Sequence, residues 1–339
     1  MSQSGRLCRY VSARTLVIAL GLATLALAGC SASPSASSST ANTGKRVDIT
    51  DVVLTNLSGD CADYSADYEA NVKDVERNLA FVSQFSVSDN SKSCSVTAND
   101  IPNYDFNDAS ARFASPVATQ NLSLSIPRNP ALADKSTDLN MMMYNAVLLN
   151  GVVLDELSNG CYNPTSPQAD KDGNIANGCG PVIDWRLDPM GKVKFGTDSH
   201  NAHTQPGGLY HYHGNPQALF DPQETSKGSP AIGFAADGFP IYGTHYLDAK
   251  TGKVLTAKSG YTLKNGSRPS TDGSPGGTYD GTYIQDYEFT NAGSLDRCNG
   301  MNVNGQYGYY VTDSYPYVMG CYSGTPSNSF TKNTPGGNK

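Results

Sequence analysis

The sequence predicts a mostly β protein: a single β-rich domain, sandwich- or barrel-like, with short helices and about three disulfides. Apolar and polar residues alternate with a period of two in several short segments that turn residues separate. Gly and Pro are frequent, at 34 and 19 of 339 residues, whereas charged residues make up only 16%. Because long helices need a different composition, this pattern excludes a helical bundle or a coiled coil.

The predicted strands begin at residue 45, where four apolar residues lie in a largely alternating pattern up to residue 56. Residues 66–77 are the best candidate for a helix. Alternation returns at 122–126, where leucines and an isoleucine are interleaved with serines, and again at 307–311.

Three segments predict β-hairpins. Residues 147–154 place Asn150-Gly151 between two apolar runs, and residues 234–242 do the same with Asp237-Gly238. Both dipeptides favour the tight turns that connect antiparallel strands. A third hairpin is predicted over 246–255, with its turn at 250–252.

The N-terminus has the pattern of an export signal. A positively charged start is followed by an apolar stretch, residues 15–28, that is too short to span a membrane comfortably. The run ends in Leu27-Ala28-Gly29-Cys30, which resembles the signal of a bacterial lipoprotein. We therefore expect residues 1–29 to be cleaved and Cys30 to carry a lipid; an ordinary secretory signal is the alternative.

The rest of the chain divides into three segments under this interpretation. Residues 30–44 are a Ser/Ala-rich tether, residues 45–321 form the β domain, and residues 322–339 are a flexible tail. The expected location is the bacterial cell envelope, with the chain lipid-anchored at the outer membrane and periplasm or at the cell surface. The membrane is then a partner through the lipid. A net charge of −7 argues against binding to nucleic acid.

The cysteine count agrees with export. Cys8 is removed with the signal and Cys30 is lipidated, so six cysteines are left, an even number that predicts three disulfides. Nearest-neighbour pairing closes short loops. The predicted pairs are Cys61–Cys94, Cys161–Cys179 and Cys298–Cys321. A cysteine metal site is the alternative, but the chain has no CxxC motif.

All five histidines of the chain lie between residues 200 and 245. In a strand, residues i and i+2 point to the same face, so His211 and His213 share one face and the flanking tyrosines share the other. The turn sequence at 206–208 would bring His203 alongside them. Three imidazoles of this kind suit zinc, copper or non-haem iron.

Other residues could complete such a site. His245 could be a fourth ligand or could orient another ligand. Asp237 could be a metal ligand or a general base, or could instead belong to its hairpin turn. Asp198 could be a general base, could orient an imidazole N–H, or could simply be solvated. Alternatively, the histidines bind no metal and merely donate hydrogen bonds within a β-ribbon. The expected cofactor is a divalent metal, zinc or copper.

The stretches NAHTQPGGLYHYHG (201–214) and AIGFAADGFPIYG (231–243) resemble the YHYH-domain family of bacterial exported proteins. Further matches are LDRCNG (295–300) and the Tyr-Pro-Tyr segment at 315–317. An upstream element, residues 99–106, has Tyr104 where the family pattern has histidine. The resemblance implies that His203, Gln205, His211 and His213 fall on the family motif.

Three functions follow as expectations. The first is an exported lipoprotein that acts as a metal-dependent hydrolase, with a substrate that the sequence does not name. The second is a copper- or zinc-binding lipoprotein without turnover. The third is a non-catalytic surface module for adhesion or glycan binding, in which the histidines only brace a loop. The sequence does not name the small-molecule or glycan ligand. No Walker loop, GxSxG elbow, HExxH motif or dinucleotide-binding fingerprint occurs in the chain.

Overall fold

The computed structural model describes residues 45–181, 183–223 and 226–332. The predicted signal (1–29), the lipidation site Cys30 and the tether (30–44) lie outside the described residues. Across the described ranges the chain is mostly β, which confirms the predicted fold class. Its helices there are short 3-10 turns, none with the length and apolar character to cross a bilayer. They span Cys61–Tyr64, Gln217–Leu219, Ile284–Asp286 and Asn328–Phe330.

A five-stranded sheet forms the first part of the domain. Its strand order follows the chain, with β1 parallel to β2 and the other neighbours antiparallel. The strands are β1 (Val47–Asp48), β2 (Ala66–Asp74), β3 (Leu79–Asp89), β4 (Ser93–Ala98) and β5 (Leu122–Pro127).

The helix predicted over 66–77 is wrong, because this segment contains strand β2. All nine residues of β2 pair with β3, from Ala66 opposite Val87 to Asp74 opposite Leu79. Buried and exposed residues alternate from Ala70 to Asp74, the period of a strand with one covered face. Cross-strand packing therefore outweighs the local helical pattern.

An eight-stranded sheet forms the centre of the domain, in the order β11-β12-β8-β7-β13-β14-β20-β19. The hairpins predicted around Asn150-Gly151 and Asp237-Gly238 are β7–β8 and β13–β14, and both are confirmed. The strands are β7 (Ala146–Leu148), β8 (Val153–Leu154), β11 (Ala202–Thr204), β12 (Tyr210–Tyr212), β13 (Ala231–Ala235), β14 (Pro240–Tyr242), β19 (Gly300–Val303) and β20 (Gln306–Tyr310).

Four two-stranded ribbons complete the described fold. One of them, β15–β16, is the third predicted hairpin. The ribbons are β6 (Thr137–Asp138) with β21 (Cys321–Tyr322), β9 (Cys161–Tyr162) with β10 (Asn174–Ile175), β15 (His245–Asp248) with β16 (Lys253–Thr256), and β17 (Tyr261–Leu263) with β18 (Tyr287–Phe289).

The two large sheets pack against each other. Phe85 and Val96 of the five-stranded sheet line one apolar space together with Leu148 and Phe234 of the eight-stranded sheet. The hairpin turn at Gly151 packs closely against Phe85 and Ala98 of the five-stranded sheet. Its φ is +83°, and a Cβ added there would lie 2.9 Å from the Cβ of Phe85. Glycine thus satisfies both the turn and the packing.

The six predicted disulfide cysteines pair as expected from their order in the chain. Cys61 bonds Cys94, Cys161 bonds Cys179, and Cys298 bonds Cys321. The first bond joins a 3-10 turn to strand β4. The third joins the segment before β19 to strand β21. These bonds cross-link loop-rich parts of a domain that has few regular helices to order them.

The flexible tail predicted for 322–339 is wrong for its described part, residues 322–332. Tyr322 and Phe330 are fully buried, and Tyr144 donates its backbone N–H to Phe330 O over 3.0 Å. The Ser/Thr/Asn-rich composition of this segment predicted flexibility, but two of its aromatic side chains pack in the core. Such anchors order a chain segment despite polar neighbours.

Candidate metal centre

The hairpin of β11 and β12 positions three histidines. Its antiparallel register places His203 directly opposite His211, and His213 follows β12 on the same face. Gly208 in the connecting turn has a φ of +81°, and a Cβ there would lie 2.6 Å from Pro116 O. A side chain at this position would push the turn away from its neighbour, so glycine fixes the hairpin that aligns the histidines.

The three imidazoles converge. His213 Nε2 lies 3.1 Å from His211 Nε2 and 3.0 Å from His203 Nε2. The three ligand atoms all lie within 4.8 Å of one another. This is the arrangement predicted from the spacing of the histidines in the sequence, and it is compatible with metal binding.

The opposite ring nitrogens of these histidines face backbone carbonyls. His203 Nδ1 lies 2.7 Å from Phe195 O, His211 Nδ1 lies 3.4 Å from Leu209 O, and His213 Nδ1 lies 3.3 Å from Glu156 O. A carbonyl oxygen only accepts, so these contacts are hydrogen bonds when Nδ1 carries the proton. In that tautomer the Nε2 lone pairs point at one another, an arrangement that a cation between them would stabilise.

Burial keeps these imidazoles neutral. Desolvation lowers the pKa of His203, and it holds the pKa values of His211 and His213 well below the ordinary value of 6.5. The neighbouring imidazoles lower the latter two further, since positive charges side by side repel. Neutral imidazole is the form that binds a metal, and no proton has to leave it near neutral pH.

A cavity of about 550 Å³ opens onto the three histidines, and Asp155 and Lys332 line it as well. Asp155 directly follows β8 and donates its backbone N–H to Tyr212 O, which places it beside the histidine strand. Asp155 Oδ2 accepts a 2.5 Å hydrogen bond from Lys332 Nζ. Asp155 Oδ1 is buried and has no hydrogen-bond partner among the described residues. The carboxylate therefore keeps one free acceptor atom.

The tyrosines lie on the other face of β12, as predicted. The hydroxyl groups of Tyr104 and Tyr212 are in direct hydrogen-bond contact, and Tyr210 Oη lies 3.4 Å from Tyr104 Oη. Tyr210 donates to Asp198 Oδ2 over 2.8 Å. Tyr104, the departure from the family pattern, thus belongs to this buried hydroxyl cluster on the face opposite the imidazoles.

The two aspartates predicted as general bases are engaged elsewhere. Asp198 lies with the tyrosines, and its carboxylate also accepts the backbone N–H of His200. Asp237 accepts from Tyr309 Oη over 2.5 Å and from the backbone N–H groups of Phe239 and Gly324. Neither lines the cavity of the three histidines. Their contacts hold a strand and a hairpin turn in place.

His245 also lies apart from the three-histidine group. It starts β15, and its Nδ1 lies 2.9 Å from Thr244 Oγ1. It lines a different groove together with Tyr246 and Gln306. The prediction of His245 as a fourth ligand therefore lacks geometric support, because the hairpin after Gly243 directs the chain away from β12.

Sequence reasoning missed Asp155 and Lys332. A signal for Asp155 was present: Asp155-Glu156 follows the apolar run Val152-Val153-Leu154, and two acids at the end of a buried strand are unusual. Lys332 gave no signal, because 177 positions separate it from Asp155. Only the fold brings the two together.

The second group of possible metal ligands, Asp60 with Cys61 and Cys94, is not a metal site here, since its sulfurs form a disulfide. The remaining site defines the class of protein: a disulfide-bonded β domain with three convergent histidines on a Tyr-His-Tyr-His strand.

The chain belongs to the YHYH protein family, whose model matches residues 123–324. The match confirms the resemblance seen in the sequence. It includes every strand of the eight-stranded sheet and all three histidines. Comparison with curated proteins and with solved structures finds no match.

Proposed function

We propose that this protein is a metal-dependent hydrolase of the bacterial cell envelope. The observation that carries the proposal is the convergence of three Nε2 lone pairs, each oriented by a backbone carbonyl at Nδ1. Such a site fits a divalent ion of the zinc type. His203, His211 and His213 would hold the ion, which would supply a water of lowered pKa and an electrophile for a carbonyl or phosphoryl oxygen.

Asp155 supplies the proton acceptor of this proposal. Its Oδ1 is free, and it lines the same cavity as the histidines. Lys332 holds Oδ2 and so fixes the orientation of the carboxylate, while the Tyr144 ring lies 5.3 Å from Lys332 Nζ and positions the lysine in turn. A base that is oriented by a second group in this way is typical of hydrolytic sites.

Metal content tests the proposal. The purified protein should bind about one zinc ion per chain, the stoichiometry of a single three-histidine site. His211→Ala should lose this zinc. His245→Ala is the matched control, because it removes a histidine outside the cluster, and it should bind zinc as the wild type does. Equal zinc content in the His211 variant and the wild type would refute the centre.

A second function has support from one residue of the cavity wall. Met141 lines the same cavity as the three histidines. A thioether together with imidazoles is a ligand set that favours copper. Under this alternative the protein binds copper without turnover, and Met141→Leu would lower its affinity for Cu(I) but leave zinc binding unchanged.

The envelope location is part of the proposal. Three disulfides support an oxidising compartment, and the Leu-Ala-Gly-Cys sequence supports a lipid on Cys30. Cys30→Ser should then move the protein from the membrane fraction to the soluble fraction of cells. A protein that stays with the membrane fraction after this change would contradict lipid anchoring at Cys30.

A further inference from the structure

The cavity over the three histidines has a charge opposite to that of the whole chain. The chain carries a net charge of −7. The cavity is nevertheless lined by Arg112, Lys194 and Lys332, and Asp155 is the one carboxylate among its described lining residues. A concave surface of one sign concentrates ligands of the other sign.

Two of these cations are not neutralised by a carboxylate, although Arg112 Nη1 donates to the backbone carbonyls of Ala109 and Ala111. Lys332 pairs with Asp155, so their charges offset each other. Within the part of the chain that the structure describes, Arg112 and Lys194 form no ion pair with a carboxylate. Both are exposed at the cavity. The cavity therefore keeps an excess of positive charge before any metal ion binds.

Polar neutral groups complete the cavity wall. Gln205, Asn159 and Asn177 line it and bring amide groups that can donate hydrogen bonds to oxygen. Cationic ligands would meet repulsion from Arg112 and Lys194. An oxyanion would meet two unpaired cations and several amide donors, and a metal ion at the histidines would add further positive charge.

We infer that the ligand of this cavity carries an oxyanion, a phosphate or carboxylate group, which Arg112 and Lys194 attract toward the histidines. The inference rests on the proposed function in one respect, because it names the class of substrate for the proposed hydrolase site. The charge pattern itself belongs to this chain's own side chains and is present without metal.

Anion binding by calorimetry tests the inference. The purified protein, metal-free and zinc-loaded, is titrated with inorganic phosphate and with succinate. The double variant Arg112→Gln/Lys194→Gln should bind the preferred anion about tenfold more weakly than the wild type in both forms. Added NaCl should weaken wild-type binding and narrow this difference.

Lys192→Gln is the matched control. Lys192 lies two residues from Lys194 but pairs with Asp280 and does not line the cavity, so its loss removes one positive charge, as each change of the double variant does, without changing the cavity. This variant should bind anions as the wild type does.

The outcomes are distinct. Equal anion affinity in the wild type and the double variant would overturn the inference, as would an equal loss in the Lys192 control. The anion that the wild type binds more tightly, phosphate or succinate, shows whether the cavity prefers a phosphate or a carboxylate group. If the wild-type protein binds no zinc, only the proposed metal centre is refuted. The titration of the metal-free protein still decides whether the cavity selects anions.

Discussion

At the scale of single residues, the role of Asp155 distinguishes the two proposed functions, a hydrolase and a protein that only binds metal. The histidines would hold the proposed ion in either case, and the free Oδ1 atom of Asp155 would be needed only for proton transfer. The predicted bases Asp198 and Asp237 have their oxygens in other hydrogen bonds. A catalytic function therefore depends on a carboxylate that was not among the bases predicted from the sequence.

Asp155→Asn tests this role. The change keeps an acceptor for Lys332 but removes the base, so zinc content should stay near that of the wild type. Under the proposed function, the rate at which the protein hydrolyses its substrate should fall about a hundredfold or more. Hydrolysis rates and zinc content are measured on the same preparations. Wild-type rates in the variant would assign Asp155 a purely structural role.

The buried histidines predict how stability depends on pH. In the metal-free protein the pKa of His211 lies well below its ordinary value of 6.5 in the unfolded chain. As pH falls below 6.5 the unfolded chain binds a proton that the folded state does not, so folding loses stability. Between pH 7.5 and 5.5 this costs about 1 kcal/mol for one histidine.

Urea unfolding at the two pH values checks this expectation. The wild type should lose about 1 kcal/mol more than His211→Asn on acidification, because the variant lacks that titrating group. The comparison between variants cancels the contribution of buried acids such as Asp237, whose pKa is raised by burial. Identical losses in both proteins would show that His211 titrates normally in the folded state.

The site residues differ in how far their positions could be predicted. His203, His211 and His213 were predictable because they lie in one hairpin, where the period of two fixes the face of each side chain. His245 was misplaced because its distance in sequence says nothing about the direction of the intervening turn. Lys332 could not be found at all, since its partner is set by packing.

At the scale of elements, tight turns were predicted better than isolated segments. Asn150-Gly151 and Asp237-Gly238 both connect antiparallel strands, because their backbone preferences act locally. The segment from Ala66 was misjudged because its pairing with β3 is not local. Sequence patterns therefore predicted hairpins, whereas only the structure showed the strand pairing that local turn preferences do not determine.

The turn before β12 offers a matched pair of glycines. Gly207 and Gly208 both have a positive φ, but an added Cβ meets Pro116 O and Ala118 only at Gly208. Gly208→Ala should destabilise the protein by about 2–4 kcal/mol, from backbone strain together with the steric clash, and should weaken zinc binding. Gly207→Ala should cost only about 1 kcal/mol.

Thermal unfolding and zinc titration of the two glycine variants measure these effects. A larger loss for Gly207→Ala than for Gly208→Ala would show that contact with residues 116–118 does not support the hairpin.

At the scale of the whole molecule, the C-terminal described segment connects the two large sheets. Ser125 of β5 donates its backbone N–H to Ser329 Oγ, and Lys332 reaches Asp155 beside the eight-stranded sheet. Phe330 between them is fully buried. The family match begins at residue 123 and thus leaves β1–β4 outside it. The eight-stranded sheet and the five-stranded sheet are thus joined by a segment whose composition predicted a flexible tail.

Phe330→Ala should therefore destabilise the domain by about 3–5 kcal/mol, the usual cost of deleting a buried phenylalanine. Phe289→Ala is the control, because Phe289 is 38% exposed, and it should cost clearly less. Chemical denaturation of both variants gives the comparison. Equal losses would indicate that the 328–332 segment contributes little to the fold.

The closeness of the three histidines in sequence has a consequence for biogenesis. His203, His211 and His213 fall within eleven consecutive residues, so a newly made, unfolded chain already carries a flexible chelating peptide. An ion captured at that stage would bind both states of the chain, and the stabilisation that it gives the folded state would shrink accordingly. The proposed metal site could then be loaded before folding is complete, whereas Asp155 and Lys332 join the site only afterwards.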